Sequence, residues 1–330
     1  MYFWIKRTAS IFLAGTILAF ICYLHAGGPA NPFPEERDYP YYTSRSCRQC
    51  HKDIYEEWSS SFHARSWKDP LVHSLSKGFD NADCIPCHAP QPVLLSTVGS
   101  TPVAREKMRK TGVNCLSCHR VKKGVATARQ SKNAPCRPVE DDRISDTVLC
   151  RSCHNLHGTV DDWEATLLKA EGRDCLSCHM PMVQRKDGTR TRSHRWPGGH
   201  SREMIARAVS LNSKVENGKL LVEVENRGAG HNVPTELRHR ALDLQVILRT
   251  GLWKKKTYEF RFRNPYKGEG GPNTQLKFGE RQRFEYKLPS GDGEAIIRLV
   301  YRLMPHGRAG KGEVVHEKSL PFHQNKDKNP

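Results

Sequence analysis

Five copies of the pattern C-x-x-C-H constrain this 330-residue chain more than any other sequence feature. The copies begin at Cys47, Cys84, Cys115, Cys150 and Cys175. They use ten of the twelve cysteines, and only Cys22 and Cys136 are left over. The starts lie 25 to 37 residues apart, so a chemical motif repeats rather than one supersecondary unit.

Each copy has the residues that attach a c-type haem. Two thiols add to the two vinyl groups of the porphyrin, and the two-residue gap matches the separation of those groups. The histidine that follows then lies under the iron, where a neutral imidazole is a good axial ligand. The sequence therefore predicts five covalently bound haem c groups. The predicted attachment residues are Cys47, Cys50, Cys84, Cys87, Cys115, Cys118, Cys150, Cys153, Cys175 and Cys178, and the predicted proximal ligands are His51, His88, His119, His154 and His179.

Other uses of paired cysteines explain the pattern less well. Zinc ribbons use C-x-x-C in pairs and do not require a histidine behind each one, whereas this chain has five copies and a histidine in every copy. A thioredoxin-like redox site would be single and set in a βαβ pattern. A disulfide framework would not repeat one spacing five times.

The composition fits a chain whose core is partly porphyrin. Hydrophobic residues make up 37% of the chain and the mean hydropathy is −0.67, which is poor for a protein that builds apolar cores throughout. Five haems would supply the missing apolar mass, and their propionates would offset much of the formal net charge of +18. No arginine-rich helix or aromatic RNA-binding stretch indicates nucleic acid, and the residual positive field favours an acidic redox partner.

The N-terminus has the features of a signal or an anchor. Lys6 and Arg7 precede an apolar run over residues 9–24, which suits a signal h-region and is slightly short for a transmembrane helix. We expect residues 1–26 to act as a signal-anchor or transmembrane segment, with a cleaved signal as the alternative. Either arrangement exports the remainder of the chain, so the sequence predicts a location on the periplasmic side of the cytoplasmic membrane.

The remainder divides into four segments by composition. Residues 27–41 are rich in proline and glycine and indicate a linker. Residues 42–204 carry all five motifs, short helical patterns and many prolines, which indicates a pentahaem domain. Residues 205–304 change to strand-like alternation, and residues 305–330 are predicted to be a polar tail. The predicted fold class is mixed: a mostly α/irregular multihaem domain followed by a small antiparallel β-sandwich domain.

Period-two alternation of apolar and polar residues marks the predicted strands of the sandwich. The alternating segments are residues 220–225, 242–249, 260–263, 284–286 and 295–302. Turn sequences such as ENG at 216–218 and SGDG at 290–293 separate them. A short helix is predicted just before them, near residues 204–209.

The sixth position of each iron decides between electron transfer and catalysis, because an open iron can bind a substrate. Eleven histidines lie outside the motifs. Five of them occur in contexts that favour a second axial ligand, namely His63, His157, His194, His200 and His231. His231 lies in GAGHNVPT, at a break between two predicted strands, where a loop can carry it to the haems. His73 and His239 are weaker candidates.

The stretch CRQCHKDIYEEWSSSFHARSW resembles the opening of multihaem cytochromes of the cytochrome c554 type, in which C-x-x-C-H precedes a helix ending in W-x-x-S-x-H. ADCIPCHAP, GVNCLSCH and DCLSCHMP are similar to later motifs of that group. HRWPGGH and GHNVPT resemble members with a C-terminal sandwich, some of which have four haems and form extracellular filaments. The resemblance covers residues 44–300 and implies closely packed haems, electron transfer, and axial roles for His63 and His231. Five motifs and an apolar N-terminus depart from those relatives.

The sequence therefore predicts a pentahaem c-type cytochrome that transfers electrons between membrane-associated and soluble redox partners outside the cytoplasm. The expected partners are a quinol-oxidising membrane protein and a soluble reductase or oxidase, and oligomerisation stays open. The alternative is a multihaem oxidoreductase in which one open-site haem acts on a small nitrogen or sulfur compound. No catalytic residue is assigned, and no C-x-x-C-K variant, which would favour the enzyme, occurs.

Overall fold

Short helices and loops make up the first half of the chain in the computed structural model, which describes residues 43–128, 133–235, 239–251, 254–266, 268–304 and 312–324. The helices are α1 (Ser44–Cys47), α2 (Lys52–Ser60), α3 (Phe62–Arg65), α4 (Pro70–Leu75), α5 (Ile85–His88), α6 (Cys115–His119), α7 (Thr147–His154), α8 (Thr159–Glu164), α9 (Leu167–Ala170), α10 (Cys175–His179) and α11 (Arg202–Ala208). Short 3₁₀ helices lie at Ala82–Cys84, Val93–Leu95, Arg109–Thr111 and Asp142–Ser145. The described residues from Thr43 onwards form one compact unit.

The predicted signal-anchor at residues 1–26 and the predicted linker at residues 27–41 lie outside the described residues. A helix needs about 20 apolar residues to span a bilayer. Within the described ranges, no helix has the length and the apolar character to cross a membrane.

Local polar side chains set where the helices begin. The Asp69 carboxylate accepts a hydrogen bond from the Leu71 amide at 2.9 Å and caps α4. Asp146 caps α7 in the same way through the Val148 amide, also at 2.9 Å. These caps satisfy amides that have no partner inside the helix. The helix that the resemblance implies between the first motif and His63 is split at Ser61, whose extended backbone ends α2 and whose hydroxyl caps α3.

Within the described part of this half, five short strands lie among the helices, and the sequence pattern does not predict them. They are β1 (Arg120–Val121), β2 (Gly124–Thr127), β3 (Pro138–Glu140), β4 (Met182–Gln184) and β5 (Arg190–Arg192). β1 and β2 pair antiparallel, β2 and β3 pair parallel, and β4 and β5 form a hairpin. Strands of two to four residues are too short to show an alternating pattern, so periodicity cannot reveal them.

The second half of the chain is a two-sheet sandwich, as predicted. Its strands are β6 (Val209–Glu216), β7 (Lys219–Asn226), β8 (Ala241–Thr250), β9 (Lys254–Phe262), β10 (Arg281–Lys287), β11 (Gly291–Arg302) and β12 (Glu313–Gln324). One sheet has the order β10-β7-β6 and the other β12-β11-β8-β9, with antiparallel pairing throughout. Val222, Leu244 and Ile297 are almost fully buried in one shared core. The predicted mixed fold is therefore confirmed.

The predicted polar tail at residues 305–330 is wrong for its central part. β12 pairs with β11 along nearly its whole length. Val315 and Phe322 of β12 are buried in the sandwich core, whereas charged residues such as Glu317 and Lys318 face outwards. The charged residues dominate the composition and hide the inward-facing positions, so composition alone indicates a solvated segment.

The buried carboxylate of Asp243, on β8, binds two arginine side chains. Arg261 donates to it at 2.7 and 2.9 Å, and Arg302 donates at 2.6 Å. Burial raises the pKa of Asp243, but the hydrogen bonds from the two guanidinium groups outweigh burial and hold the pKa below its usual value of 3.8. The carboxylate is therefore charged in the folded protein.

We expect Asp243→Asn to lower the free energy of unfolding by about 1–3 kcal/mol near neutral pH, because both arginines lose their charged partner. A pKa that is lower in the folded than in the unfolded state stabilises the fold above the unfolded pKa, and this stabilisation is lost as the pH falls through the folded pKa. Urea unfolding should therefore show a large difference between the wild type and the variant at neutral pH. The difference should shrink below pH 3.8. A difference that is independent of pH would contradict this charge-based account.

Leu299 offers a test of the sandwich core, since its side chain is fully buried in β11. We expect Leu299→Ala to lower the free energy of unfolding by about 2–5 kcal/mol, because the truncation leaves a cavity. Leu167→Ala is the matched control, since the Leu167 side chain is 76% exposed and its removal should change stability by less than about 0.5 kcal/mol. Urea unfolding followed by circular dichroism measures both, and equal effects would contradict the assigned core.

Candidate haem-binding site

The C-x-x-C-H motifs have helical or turn backbone. The third and fifth are short helices of their own, the fourth ends a longer helix, and the first runs from the last residue of α1 through a turn. Cysteines at positions i and i+3 and a histidine at i+4 lie on one face of such a turn, so both thiols and the imidazole point the same way. In the third motif Asn114 accepts from the Ser117 amide, and Ser117 bonds back to the Asn114 amide, which forms a capping box. Asp174 caps the fifth motif through the Ser177 amide at 2.7 Å. The caps hold these short turns where no long helix supports them.

The motifs lie against one another in a fixed pattern. The helix of the first motif contacts that of the third, the second contacts the fourth, and the fourth contacts the fifth. A pair of thiols is hydrogen-bonded at each contact: Cys47 with Cys115, Cys153 with Cys87, and Cys150 with Cys175. The hydrogen bond raises the pKa of the first thiol in each pair. Groups bound at these motifs would therefore be close neighbours.

Three predicted distal histidines each face a predicted proximal histidine. The ring centroids of His119 and His194 are 6.3 Å apart with 25° between the ring planes. His179 and His231 are 6.4 Å apart and nearly parallel, at 12°.

His63 and His154 form the third pair, with centroids 6.0 Å apart and planes at 62°. Two imidazole nitrogens bound about 2 Å from one iron place the ring centroids roughly 6 Å apart. All three separations therefore fit an iron atom held between two histidines.

Backbone carbonyls fix the tautomer of most of these imidazoles. A carbonyl can only accept, so the ring nitrogen Nδ1 carries the proton and Nε2 keeps a lone pair for a metal. In each case Nδ1 donates to a backbone carbonyl. The pairs are His119 to Ala126 (2.9 Å), His179 to Pro197 (2.6 Å), His194 to Arg192 (3.0 Å), His231 to Asn232 (3.0 Å) and His88 to Ser66 (2.9 Å). The donor chemistry of these residues fits haem iron.

Burial keeps the candidate ligands neutral. Burial and the neighbouring histidines lower the pKa of His63 to about 3. Burial, with a smaller contribution from His119, lowers the pKa of His194 to about 4. It also lowers the pKa of His88, His119 and His179. Neutral imidazole is the form that binds iron.

Backbone contacts place His63 and His231. The Val113 amide donates to the His63 carbonyl at 3.0 Å, and this close approach requires Gly112, where a Cβ would lie 2.6 Å from that carbonyl. The buried side-chain amide of Asn226, at the end of β7, donates to the His231 carbonyl at 2.9 Å. The loop after β7 therefore carries His231 from the sandwich to the fifth motif, as the sequence predicts for this loop.

The other two predicted distal ligands have different surroundings. The His200 ring stacks on Phe62 at 3.5 Å between centroids, and burial lowers its pKa to about 4. His157 lies near His239 and contributes to lowering the His239 pKa to about 4, after the larger effect of burial. Nδ1 of His239 bonds to the Tyr266 hydroxyl at 3.2 Å, and its buried Nε2 has no hydrogen-bond partner. The ring that His200 stacks on is therefore Phe62 and not a proximal histidine.

Sequence reasoning missed three residues that support the site. Trp196 lies edge-on to His63 at 4.6 Å and to His194 at 5.0 Å between ring centroids. Glu57 and Arg185 form a buried ion pair beside His194. The turn sequence HRWPGGH drew attention to its histidines but gave no signal for the tryptophan between them.

Comparison with known proteins agrees with this site. Residues 46–120 match the family model described as cytochrome c554 and c-prime. The matched segment holds the first three C-x-x-C-H motifs and is similar to this family. A crystal structure of a penta-heme cytochrome c552 from Thermochromatium tepidum has a similar fold, with a TM-score of 0.63 and 18% sequence identity. The match covers 85% of this chain and 98% of that one. No curated protein sequence matches.

The family match over residues 46–120 agrees with the chemistry of the C-x-x-C-H motifs. It supports covalently bound haem c as the cofactor, an electron-transfer or redox role, and redox proteins as partners. Proteins of the group are typically extracytoplasmic.

The His179–His231 pair yields a direct test. We expect His231→Ala to convert one haem from a low-spin to a high-spin ferric signal, because an iron held between His179 and His231 would lose its second nitrogen ligand. Electron paramagnetic resonance of the purified protein measures the change. His316→Ala is the control, since Nε2 of His316 donates to the carbonyls of Ala206 and Val209 and is not available to a metal. Equal spectra for the two variants would contradict the pairing.

Proposed function

We propose that this protein is a pentahaem c-type cytochrome that transfers electrons outside the cytoplasm, with one haem c attached at each C-x-x-C-H motif. The observation that carries the proposal is the set of three facing histidine pairs, with centroids 6.0 to 6.4 Å apart. Each pair joins one motif histidine to one histidine from elsewhere in the chain. An iron with two histidine ligands has no open position for a substrate, which favours electron transfer over catalysis.

The residues of the chain would divide the work as follows. The motif cysteines hold each porphyrin, the motif histidines bind one side of each iron, and His63, His194 and His231 bind the other side of three of them. His157 and His200 are proposed for the remaining two. When bound, haem c supplies an iron that accepts and releases one electron. The protein tunes that step through ligand identity, hydrogen bonds to the ligands and burial.

The contacts between motifs support a continuous path for electrons. The first motif adjoins the third, and the fifth and the second both adjoin the fourth. Trp196 connects the third and fourth positions, since its ring contacts both His194 and His63. We infer the order first, third, fourth and fifth, with the second haem branching from the fourth.

One observation favours the alternative of an oxidoreductase with an open-site haem. Three proximal histidines have a facing partner, whereas His51 and His88 have none at this separation among the described residues. His88 packs edge-on against Phe79, with 5.8 Å between centroids. If one of these two irons had no second protein ligand, it would be the position at which a small nitrogen or sulfur compound binds.

The finer points of location and partners belong to the same proposal. The apolar run at residues 9–24 would export the chain and hold it on the periplasmic side of the cytoplasmic membrane. The expected electron donors and acceptors are a quinol-oxidising membrane protein and a soluble reductase or oxidase. The net charge of +18 favours acidic surfaces on those partners, even after the propionates are counted.

Haem stoichiometry and spin state together test the proposal. We expect pyridine haemochrome analysis to give one haem per motif, and electron paramagnetic resonance to show only low-spin ferric signals. Nitrite or hydroxylamine should leave the spectrum unchanged. A stoichiometric high-spin signal that shifts with either compound would instead establish the open-site oxidoreductase. Fewer haems than motifs would overturn the pentahaem assignment.

A further inference from the structure

Glu57 and Arg185 form an ion pair that is buried beside the third motif's candidate distal ligand. The two terminal nitrogens of Arg185 donate hydrogen bonds to the two carboxylate oxygens of Glu57, at 2.9 and 3.1 Å. Both side chains are only 9% exposed. A two-pronged contact of this kind fixes orientation as well as distance. Arg195 also approaches Glu57 at 3.7 Å, but its side chain is 71% exposed and adds little.

The same carboxylate also holds the backbone of His194. The oxygen Oε2 of Glu57 accepts a hydrogen bond from the His194 amide at 2.9 Å. Glu57 lies on α2, directly after the first motif, and His194 follows the β4–β5 hairpin. One carboxylate therefore joins the helix after the first motif to the segment that carries the candidate second ligand of the third motif.

Arg185 reaches the imidazole of His194 through a second route. Its Nη2 donates to the Arg192 carbonyl at 2.9 Å, and the same carbonyl accepts from Nδ1 of His194 at 3.0 Å. Nε of Arg185 donates to the Thr191 hydroxyl at 2.7 Å. Both the backbone and the ring orientation of His194 thus depend on groups that Arg185 holds.

The energetics of the pair indicate a role beyond stability. A buried ion pair is costly to desolvate and is often replaceable by apolar side chains with no loss of stability. Burial raises the pKa of Glu57, and the hydrogen bonds from Arg185 and the His194 amide more than reverse this effect. Every strong contact of the carboxylate is therefore directed either at Arg185 or at His194. Hydrogen bonds around an axial histidine fix its ring and tune the metal it binds.

We propose that Glu57 and Arg185 are positioning residues that hold the His194 imidazole in line with the third haem iron. This inference rests on the proposed function, because it requires His194 to be an axial ligand. Neither residue touches the iron. Their effect passes through the His194 amide and the Arg192 carbonyl.

The experiment compares ferric spectra of the full holoprotein for several variants. Arg185→Met removes the charge and every hydrogen bond of the guanidinium, while Arg185→Lys keeps the charge and one donor. Arg261→Met is the matched control, because Arg261 makes the same two-pronged contact to the buried Asp243 in the sandwich, away from the motifs. His194→Ala defines the spectrum of complete ligand loss. Electron paramagnetic resonance and the thermal midpoint are recorded for each protein.

We expect His194→Ala to lose one haem's worth of low-spin signal and to regain it when free imidazole is added. Arg185→Met should lose part of the same signal, with the same recovery, and Arg185→Lys should lose less. Arg261→Met should lower the thermal midpoint and leave the spectrum unchanged.

Two outcomes distinguish failure of the proposed ligand set from failure of the positioning role. If His194→Ala leaves all signals low-spin, His194 is not an axial ligand and the proposed ligand set fails. If His194→Ala behaves as expected but Arg185→Met lowers the midpoint without altering any haem signal, the pair is only structural and the positioning role is overturned. Should Arg185→Met fail to fold, Arg185→Lys and Glu57→Gln provide the same comparison.

Discussion

A hydrogen bond from histidine Nδ1 to a backbone carbonyl underlies the candidate haem-binding site of this protein. It occurs at three motif histidines and at two of the proposed second ligands, namely His88, His119, His179, His194 and His231. The bond leaves Nε2 with its lone pair and sets the plane of the ring. Each accepting carbonyl lies in an irregular segment or a very short strand. The orientation of each imidazole therefore depends on the position of a loop and not on a long helix.

This constraint explains the contrast between the two halves of the chain. The sandwich has one large apolar core, whereas the motif-bearing half has three small clusters, each with three buried apolar residues. Clusters of that size bury too little surface to order long loops on their own. The haems would supply the missing apolar contact, and the capping residues and the buried Glu57–Arg185 pair fix the segments between them. Polar bonds are therefore concentrated where the apolar core is thin.

Sequence patterns predicted the parts of the fold that follow a regular period or a fixed spacing. The alternation around Leu244 and Ile297 identified two strands correctly. Strand β12 was missed because charged residues between Val315 and Phe322 obscure its inward face. Context singled out His63, His194 and His231 as candidate second ligands, and resemblance added weight to His63 and His231. The motif histidine that each one faces could not be predicted, because the two members of a pair lie far apart in sequence. The Glu57–Arg185 pair is 128 residues apart in sequence, and no local pattern signals a contact of that range.

The position of His231 has a consequence for how the molecule is made. All ten motif cysteines precede it in the chain, and it is delivered by a loop that depends on β7 and on the buried Asn226. Synthesis proceeds from the N-terminus, and domains generally fold as units. If His231 binds the fifth haem iron, as proposed, that haem could be attached early, but its ligand set would be complete only after the sandwich has formed. A change of that iron from high spin to low spin during biogenesis would then indicate that the C-terminal half has folded.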